Sequence, residues 1–251
     1  MRAHNFDGLD IDWEYPQADD RGGLLDDMEN YVDLLSELKQ AFDATPEKYT
    51  LTIAVPLSYW YLRHFDLEKI HPIVDFMNIM SYDIHGIWDA NITDIGPHVY
   101  SHTNISEIRD ALNIFFKNGV PPDNLVLGIG AYGRTYTLKD PSCHHFGCEF
   151  SGPGNAGKCT KAPGTLAYFE IKHLLETDTN ARSVYDSQSL SMYVYTGDQF
   201  ISYDSLETLR KKKEFAKQFC MRGMMLWATD MLLKDDSLSH HHSHSHHSHI
   251  Q

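Results

Sequence analysis

The sequence is short of cysteine, of basic residues and of long apolar runs, and each shortage excludes a class of protein. Four cysteines in 251 residues are too few for a small disulfide-rich scaffold. With 21 Lys and Arg against 35 Asp and Glu, the formal charge is -14, so a nucleic-acid backbone or an anionic membrane surface would repel the chain on average. No run approaches the roughly 20 apolar residues of a membrane span, and residues 1–6 contain no apolar signal-peptide core. We therefore expect neutral or cationic partners, and neither nucleic acid nor membrane.

The sequence does contain enough apolar material for a folded core. Hydrophobic residues make up 42% and aromatic residues 12%, while charged residues, at 22%, fall below the range of disordered chains. The length of 251 residues fits one large domain or two small ones.

The four cysteines divide into a group and a single residue. Cys143, Cys148 and Cys159 lie close together in a Gly-rich stretch, so we expect one local disulfide bridge whose pairing stays open. Cys220 lies alone at the end of a helix-like segment, where we expect a small buried apolar side chain.

Strand-like and helix-like segments alternate along most of the chain. The predicted strands cover residues 6–13, 50–57, 76–82, 125–132 and 223–228. The predicted helices cover residues 26–41, 65–70, 106–118 and 204–219, and the last of them begins with a pair typical of a capping box, Asp204 and Glu207. This alternation predicts an α/β fold with a parallel sheet covered by helices, either doubly wound or closed as a (β/α)8 barrel.

Two segments depart from this alternation. Residues 135–202 are rich in Gly, Pro, Ser and Cys and contain a hairpin signal around Gly197 and Asp198, so we interpret them as a subdomain inserted between residues 1–134 and 203–230. Residues 231–251 are rich in Ser and His without apolar periodicity, which predicts a disordered tail. Such a tract would bind Zn²⁺ or Ni²⁺ only weakly because it offers no fixed geometry.

The segment with the clearest chemical content is residues 7–14, Asp-Gly-Leu-Asp-Ile-Asp-Trp-Glu. Side chains alternate faces along a strand, so Asp10, Asp12 and Glu14 share one face. Like charges this close are unfavourable unless a proton is shared, so at least one carboxyl group should have a raised pKa and stay protonated near neutral pH. A general acid requires a protonated group of this kind. Glu14 also precedes a Tyr15-Pro16 turn, and active sites of parallel α/β sheets lie at the carboxyl ends of strands.

Two other interpretations of the acidic segment remain open. It could be a strand end that faces solvent, or it could bind a divalent metal. The large apolar side chains of Ile11 and Trp13 suit a strand whose second face packs on helices, whereas calcium loops interleave small polar residues and glycine. These flanks weaken both of these interpretations, and we predict no metal and no other cofactor.

These residues resemble the motif of glycoside hydrolase family 18, whose fourth barrel strand carries Asp-x-x-Asp-x-Asp-x-Glu. The matching positions are Asp7, Asp10, Asp12 and Glu14. The resemblance continues in family order through Met-Ser-Tyr-Asp at 80–83, Tyr-Gly-Arg at 132–134 and Trp227, while residues 131–201 resemble the insertion of the family's chitinases, and residues 82–89 and 150–154 look closest to the fungal branch. It implies a (β/α)8 barrel, hydrolysis of β-1,4-linked N-acetylglucosamine polymers (chitin) and an extracellular location.

The resemblance also implies roles for individual residues. Glu14 would protonate the glycosidic oxygen while the substrate's own acetamido carbonyl attacks the anomeric carbon. Asp12 would hold the acetamido N–H and share a proton with Asp10, and Tyr82 would hydrogen-bond the acetamido group. The implied substrate-binding residues are Asp7, Tyr15, Met80, Asp83, Trp88, Tyr132, Arg134 and Trp227. Without the resemblance, Trp227 could be a core residue, Arg134 a surface cation, and Trp88 and Tyr15 loop packing.

The sequence departs from the family in its N-terminal part. The motif of the fourth strand begins at Asp7, and neither the first three strands nor the family's third-strand Ser-x-Gly-Gly pattern has a counterpart. We therefore expect an incomplete barrel of strands four to eight, and a chain that is poorly folded or inactive in isolation because unclosed strand edges are exposed.

Other functions stay open beside chitin hydrolysis. A chitin-binding lectin without catalysis is one, although the acid at Glu14 is retained. An endo-N-acetylglucosaminidase that acts on glycoprotein glycans is another, and an inactive fragment is a third. The sequence does not indicate the oligomeric state.

Overall fold

The computed structural model describes residues 1–232 and contains eleven strands and six α-helices. The strands are β1 (Gly8–Ile11), β2 (Thr50–Pro56), β3 (Phe76–Met80), β4 (Leu125–Gly130), β5 (Tyr132–Leu138), β6 (Phe150–Pro153), β7 (Thr165–Ala167), β8 (Arg182–Asp186), β9 (Ser191–Thr196), β10 (Gln199–Tyr203) and β11 (Gly223–Trp227). The helices are α1 (Asp27–Asp43), α2 (Tyr59–Leu62), α3 (Leu67–Ile70), α4 (Ile105–Lys117), α5 (Tyr168–Thr177) and α6 (Leu206–Gln218). The predicted tail at 231–251 lies almost wholly outside the described residues.

The first sheet has five parallel strands in the order β1-β2-β3-β4-β11. Its two outer strands, β1 and β11, do not pair with each other within residues 1–232. All five strands were predicted from the sequence, with bounds that differ by a few residues. Because the strands are parallel, their carboxyl ends meet at one edge, and the loops that follow them lie side by side.

The two faces of this sheet differ in polarity. One face is fully apolar and is buried beneath the helices, and its central members are Leu51, Ile53, Val55, Met77, Ile79, Leu125 and Leu127. Helix α1 covers it with Tyr31 and Leu35, and helix α4 with Leu112 and Phe115. Residues of opposite parity lie on the second face, where polar side chains such as Thr52 and Asn78 alternate with small or apolar ones. The alternating sequence therefore places the core side chains on one face of the sheet and the polar side chains on the other.

The outer position of β1 affects how its apolar side is covered. Leu9, Ile11 and Trp13 alternate with the acidic residues and share the second side of the strand. Ile11 and Trp13 do contact the core cluster, but Leu9 is exposed. Among residues 1–232, strand β1 pairs with β2 alone, so less of its apolar side is covered.

The second sheet is antiparallel and has six strands. Its order is β6-β5-β10-β9-β8, with β7 also paired to β5. The predicted hairpin is confirmed as the β9–β10 pair. The predicted strand 125–132 is wrong in one respect, because the chain leaves the first sheet after Gly130 and Tyr132 begins β5 of the second sheet. Helix α5 packs on one face of this sheet through Ile171 and was not predicted.

Two predictions near helix α6 are wrong. The N-cap of the helix is Ser205, whose side chain accepts a hydrogen bond from the Thr208 amide, so Asp204 does not cap it. Asp204 is instead buried in an ion pair with Lys212, whose Nζ lies 2.7 Å from both carboxylate oxygens. Cys220 is exposed rather than buried, at a left-handed turn after the helix.

The expected local disulfide bridge joins Cys143 to Cys148, and Cys159 is exposed with a free thiol. Within residues 1–232 no helix combines the length and the apolar character that crossing a bilayer requires.

Candidate functional site

The carboxyl end of β1 brings acidic side chains above the polar face of the first sheet. Asp10 accepts a hydrogen bond from the Thr52 hydroxyl at 2.6 Å and another from the Asn78 amide at 3.0 Å. Thr52 lies on β2 and Asn78 on β3, so neighbouring strands fix the first carboxylate of the series.

Asp12 lies between the other two carboxylates. Partial burial, together with the nearby charges of Glu14 and Asp10, raises the pKa of Asp12 to about 6. The expected raised pKa in this group is therefore present, and it belongs to Asp12. Near neutral pH this carboxyl group still holds a proton for part of the time, which a proton-sharing pair requires.

Tyr82, just after β3, reaches the same group of carboxylates. Burial, and then the negative charges of Asp83, Asp12, Glu14 and Asp10, raise the pKa of Tyr82, so the phenol keeps its proton. Its hydroxyl lies 3.9 Å from the Met225 sulfur on β11. Met80, the last residue of β3, is half-buried beside it. Glycine is required at Gly128 below this ring, because a Cβ there would lie 2.2 Å from the Ile79 carbonyl oxygen.

Asp83 is the centre of a second polar group. Its carboxylate accepts two hydrogen bonds from the Arg134 guanidinium, both at 2.7 Å, and one from the Tyr132 hydroxyl at 2.8 Å. Burial alone would raise the pKa of Asp83, but these contacts outweigh it and hold the pKa below its usual range. Tyr132 and Arg134 lie on β5, so the second sheet supplies both partners.

His102 contacts the backbone of Asp83 and was not among the residues predicted from the sequence. The Asp83 amide, in a left-handed backbone conformation, donates to Nδ1 of His102 at 3.2 Å. His102 is completely buried, which lowers its pKa to about 4, so the imidazole is neutral. No motif contains this histidine, and the contact joins positions that only the fold brings together.

Trp88 lies on a short turn after β3. Its indole covers Gly86, where a Cβ would lie 2.3 Å from the ring, and the Arg134 guanidinium lies 5.1 Å from the indole centroid. His85 anchors this turn through hydrogen bonds to Asp89 at 2.7 Å and to Glu107 of α4 at 3.1 Å. Burial lowers the pKa of His85, but the two carboxylates outweigh it and raise the pKa to about 9. Trp88 is thus part of an ordered turn and remains partly exposed.

The remaining predicted residues lie at three places. Tyr15 follows Glu14 and stacks on Tyr61 with ring centroids 4.2 Å apart. Trp227 ends β11 at the same edge of the sheet and is 53% exposed. Asp7 precedes β1, at the opposite end of the strand. At about 3.3 Å per residue, it lies roughly 20 Å along the chain from Glu14, so the structure does not bring Asp7 to the other residues.

Two exposed aromatic residues at the same edge were also missed. Tyr59 and Trp60 follow β2 on helix α2, and both side chains are largely exposed. The aromatic run 59–61 directly after a predicted strand is the signal that could have identified them.

One side-chain cluster within residues 1–232 has the donor types of a metal site. Cys143, His145 and Cys148 lie close together, but the two cysteines are joined in the disulfide and supply no thiolate. The carboxyl edge of the first sheet instead combines a fixed carboxylate, a carboxyl group that titrates near pH 6, a third carboxylate and a protonated phenol. Such a set can transfer a proton to a substrate and orient a polar group beside it.

Comparison with known proteins points to one family. A family model described as "Glycosyl hydrolases family 18" matches residues 1–231. The chain is 33% identical over 249 residues to "Secreted chitinase LysM12" of Penicillium expansum and 32% identical over 243 residues to "Endochitinase" of Manduca sexta, and each alignment covers 92% of this chain. The Ostrinia furnacalis Group IV chitinase, solved in complex with allosamidin, superposes with a TM-score of 0.84 at 30% identity over 92% of this chain.

The chain spans only part of these relatives. It covers 16% of the Penicillium protein, 44% of the Manduca protein and 63% of the Ostrinia chain.

Proposed function

The chain belongs to family 18 of the glycosyl hydrolases, and we propose that it hydrolyses β-1,4-linked N-acetylglucosamine polymers such as chitin. The names of its relatives and the carboxylates at the end of β1 support this substrate and this reaction. We also propose an extracellular location, supported by the relative that is named as secreted.

We propose that the five parallel strands are strands four to eight of a (β/α)8 barrel, and that the second sheet is the insertion between strands seven and eight. In this assignment, residues 1–134 and 203–230 belong to the barrel and residues 135–202 to the insertion. The parallel order of the first sheet and its superposition on a family 18 chitinase support the assignment. The polar face of the sheet then faces the barrel interior, and the site lies at the carboxyl edge.

In the proposed reaction Glu14 is the general acid. It donates its proton to the glycosidic oxygen as the bond from that oxygen to the anomeric carbon breaks, and the acetamido carbonyl oxygen of the same sugar forms a new bond to the anomeric carbon. The Glu14 carboxylate then accepts a proton from water, which attacks the anomeric carbon and releases the acetamido oxygen. Two displacements at one carbon retain the configuration, and no protein carboxylate becomes covalently bound.

Asp12 is proposed to hold the acetamido N–H and to share a proton with its neighbours. Two hydrogen bonds fix Asp10, so Asp12 is the member of the series that can exchange a proton with either Asp10 or Glu14. The proton on Asp12 reduces repulsion among the three groups before the reaction. Its loss then leaves an anion that stabilises the positive charge on the cyclised acetamido group.

Binding of the sugar is assigned to residues around this centre. Tyr82 donates a hydrogen bond to the acetamido group, and Trp227 supplies an apolar surface under the ring that is cleaved. The other proposed contacts are made by Tyr15, Met80, Asp83, Trp88, Tyr132 and Arg134. Asp7 is not included because of its position at the far end of β1.

A single observation carries the proposal: a carboxyl group with a pKa of about 6 lies between two other carboxylates at the end of a parallel strand. The test compares the chain with its Glu14→Gln variant, which keeps the shape of the side chain but donates no proton. We expect release of fluorophore from an N-acetylglucosamine oligomer glycoside to fall roughly 100-fold or more, the typical contribution of a general acid. Equal, measurable rates in both proteins would contradict the assignment.

A second candidate function is binding of the same sugars without hydrolysis. The solvent exposure of Asp10, Asp12 and Glu14 favours this candidate. Charge–charge interactions among these groups, and proton transfer from them to a sugar, are weaker where water has access. Binding of an N-acetylglucosamine oligomer by both proteins, with no turnover in either, would select this candidate.

A further inference from the structure

An exposed aromatic pair lies beside the proposed site without a role in it. Tyr59 is 65% and Trp60 58% exposed, on the helix that follows β2. Large exposed aromatic side chains that are held in place often mark a binding surface.

Helix α2 is anchored by the two residues that follow the pair. Leu62 is buried in the main core, and Tyr61 stacks on Tyr15. The Tyr61 hydroxyl also donates to Asp20 at 2.7 Å, in the loop that follows β1. The short helix is thus fixed to the chain segment that carries Glu14.

The indole of Trp60 is itself held by a cation. The Arg63 guanidinium lies 4.1 Å from its centroid and covers one face. The Nε of Arg63 donates to Nε2 of His64 at 3.2 Å, and Nδ1 of His64 lies 2.9 Å from the side-chain oxygen of Gln17. One face of the indole is therefore covered by the guanidinium, while 58% of Trp60 stays exposed.

We propose that Trp60, with Tyr59 beside it, is a stacking platform for a sugar ring of the N-acetylglucosamine polymer, away from the bond that is cleaved. This inference rests on the proposed function and extends its site. A pyranose ring presents a face of C–H groups that matches one open aromatic face. Tyr15 links the segment of Glu14 to helix α2, because it follows Glu14 in the chain and stacks on Tyr61.

The platform predicts a dependence on chain length. We expect a hexamer bound around Glu14 to extend to Trp60 and a dimer to end short of it. Loss of the indole should therefore weaken binding of the hexamer and leave binding of the dimer unchanged. We expect hexamer binding to weaken about three- to tenfold, the order of magnitude of one aromatic stacking contact.

The experiment measures binding by calorimetry with the full chain carrying Glu14→Gln, so that no ligand is consumed. The ligands are the β-1,4-linked dimer and hexamer of N-acetylglucosamine, and the test variants are Trp60→Ala and Trp60→Phe. Tyr185→Ala is the matched control, because Tyr185 is 39% exposed, has the Lys211 ammonium 4.5 Å from its ring centroid and lies on β8 of the second sheet. Thermal unfolding of each variant checks that the fold is retained.

The outcomes separate the platform from the proposed function. Weaker hexamer binding in Trp60→Ala, recovery in Trp60→Phe and no change in Tyr185→Ala would support the platform. Unchanged hexamer binding in Trp60→Ala, or equal losses for dimer and hexamer, would overturn it while leaving the proposed function intact. If the chain that carries only Glu14→Gln bound neither sugar, the proposed function would be overturned, and the platform with it.

Discussion

The two polar groups at the carboxyl edge of the first sheet differ in how completely the fold surrounds them. Asp83 has a bidentate guanidinium, a phenol and a buried imidazole as partners. Asp12 and Glu14 follow an outer strand and are exposed. The charge on Asp83 is thus compensated within the described chain, whereas the carboxylates after β1 keep their mutual repulsion.

The difference comes from the second sheet. Strand β5 supplies Tyr132 and Arg134, and Ser202 of β10 accepts a hydrogen bond from the His102 amide at 3.2 Å. Next to His102, Thr103 hydrogen-bonds both members of the buried pair Asp204 and Lys212. A continuous polar network therefore stabilises the surroundings of Asp83. Breaking that network should lower the free energy of unfolding more than changes at Asp12 or Glu14.

The largest expected effect is on the buried ion pair. Lys212→Met leaves Asp204 buried without its cation, so the free energy of unfolding should fall by about 3–5 kcal/mol, as measured by urea denaturation. Lys217→Met on the same helix is the control, because its partner Glu214 and the lysine itself are exposed, and its loss should be below about 1 kcal/mol. Equal, small losses in both variants would show that this network does not stabilise the surroundings of Asp83.

A smaller, pH-dependent effect is expected at His102. The folded state lowers its pKa from 6.5 to about 4, so between these values the unfolded chain binds more protons and stability falls with acidification. His102→Asn keeps an acceptor for the Asp83 amide but does not titrate. The parent should lose stability relative to this variant as the pH falls from 6.5 to 4. A constant difference between the two denaturation curves across this range would contradict a buried neutral histidine.

The smallest effect on stability is expected at Asp12, after the outer strand β1. Its dependence on pH has the opposite sign to that of His102. The pKa of Asp12 rises from 3.8 to about 6 on folding, so in this window the folded chain binds more protons and stability falls as the pH increases. Asp12→Asn removes this titration, and the thermal midpoint of the parent should fall relative to the variant between pH 4 and 6. Solvent reduces the size of the effect because the side chain is exposed. A midpoint difference that is flat with pH would mean that folding does not raise the pKa of Asp12.

Much of the first sheet could be predicted because its information is local. The apolar runs of β2, β3 and β4 have the pattern of strands buried against helices, and the alternation at Asp10 and Asp12 gives their shared face. The raised pKa of Asp12 follows in part from spacing, because like charges two residues apart repel one another, but its largest cause is burial, which depends on the fold.

What the sequence did not indicate depends on contacts between distant segments. Pairing of β5 with β10 joins Arg134 to Ser202, and no local pattern shows that the strand predicted through Tyr132 divides between two sheets. Asp204 has the residue type of an N-cap, but burial next to Lys212 gives it a stronger partner. His102 becomes informative only when the fold brings it under Asp83.

The position of the second sheet in the chain also bears on the order of assembly. Strands β1 to β4 pair with neighbours that follow in sequence, but β4 pairs next with β11, and residues 131–222 lie between them. Closing so long a loop costs more entropy than joining β2 to β3, unless the intervening segment is already compact. The antiparallel pairs β8–β9 and β9–β10 are short-range and can form first, which shortens the effective loop. We therefore expect β11 to join the first sheet last during synthesis, so that the surroundings of Trp227 are completed after those of Asp83.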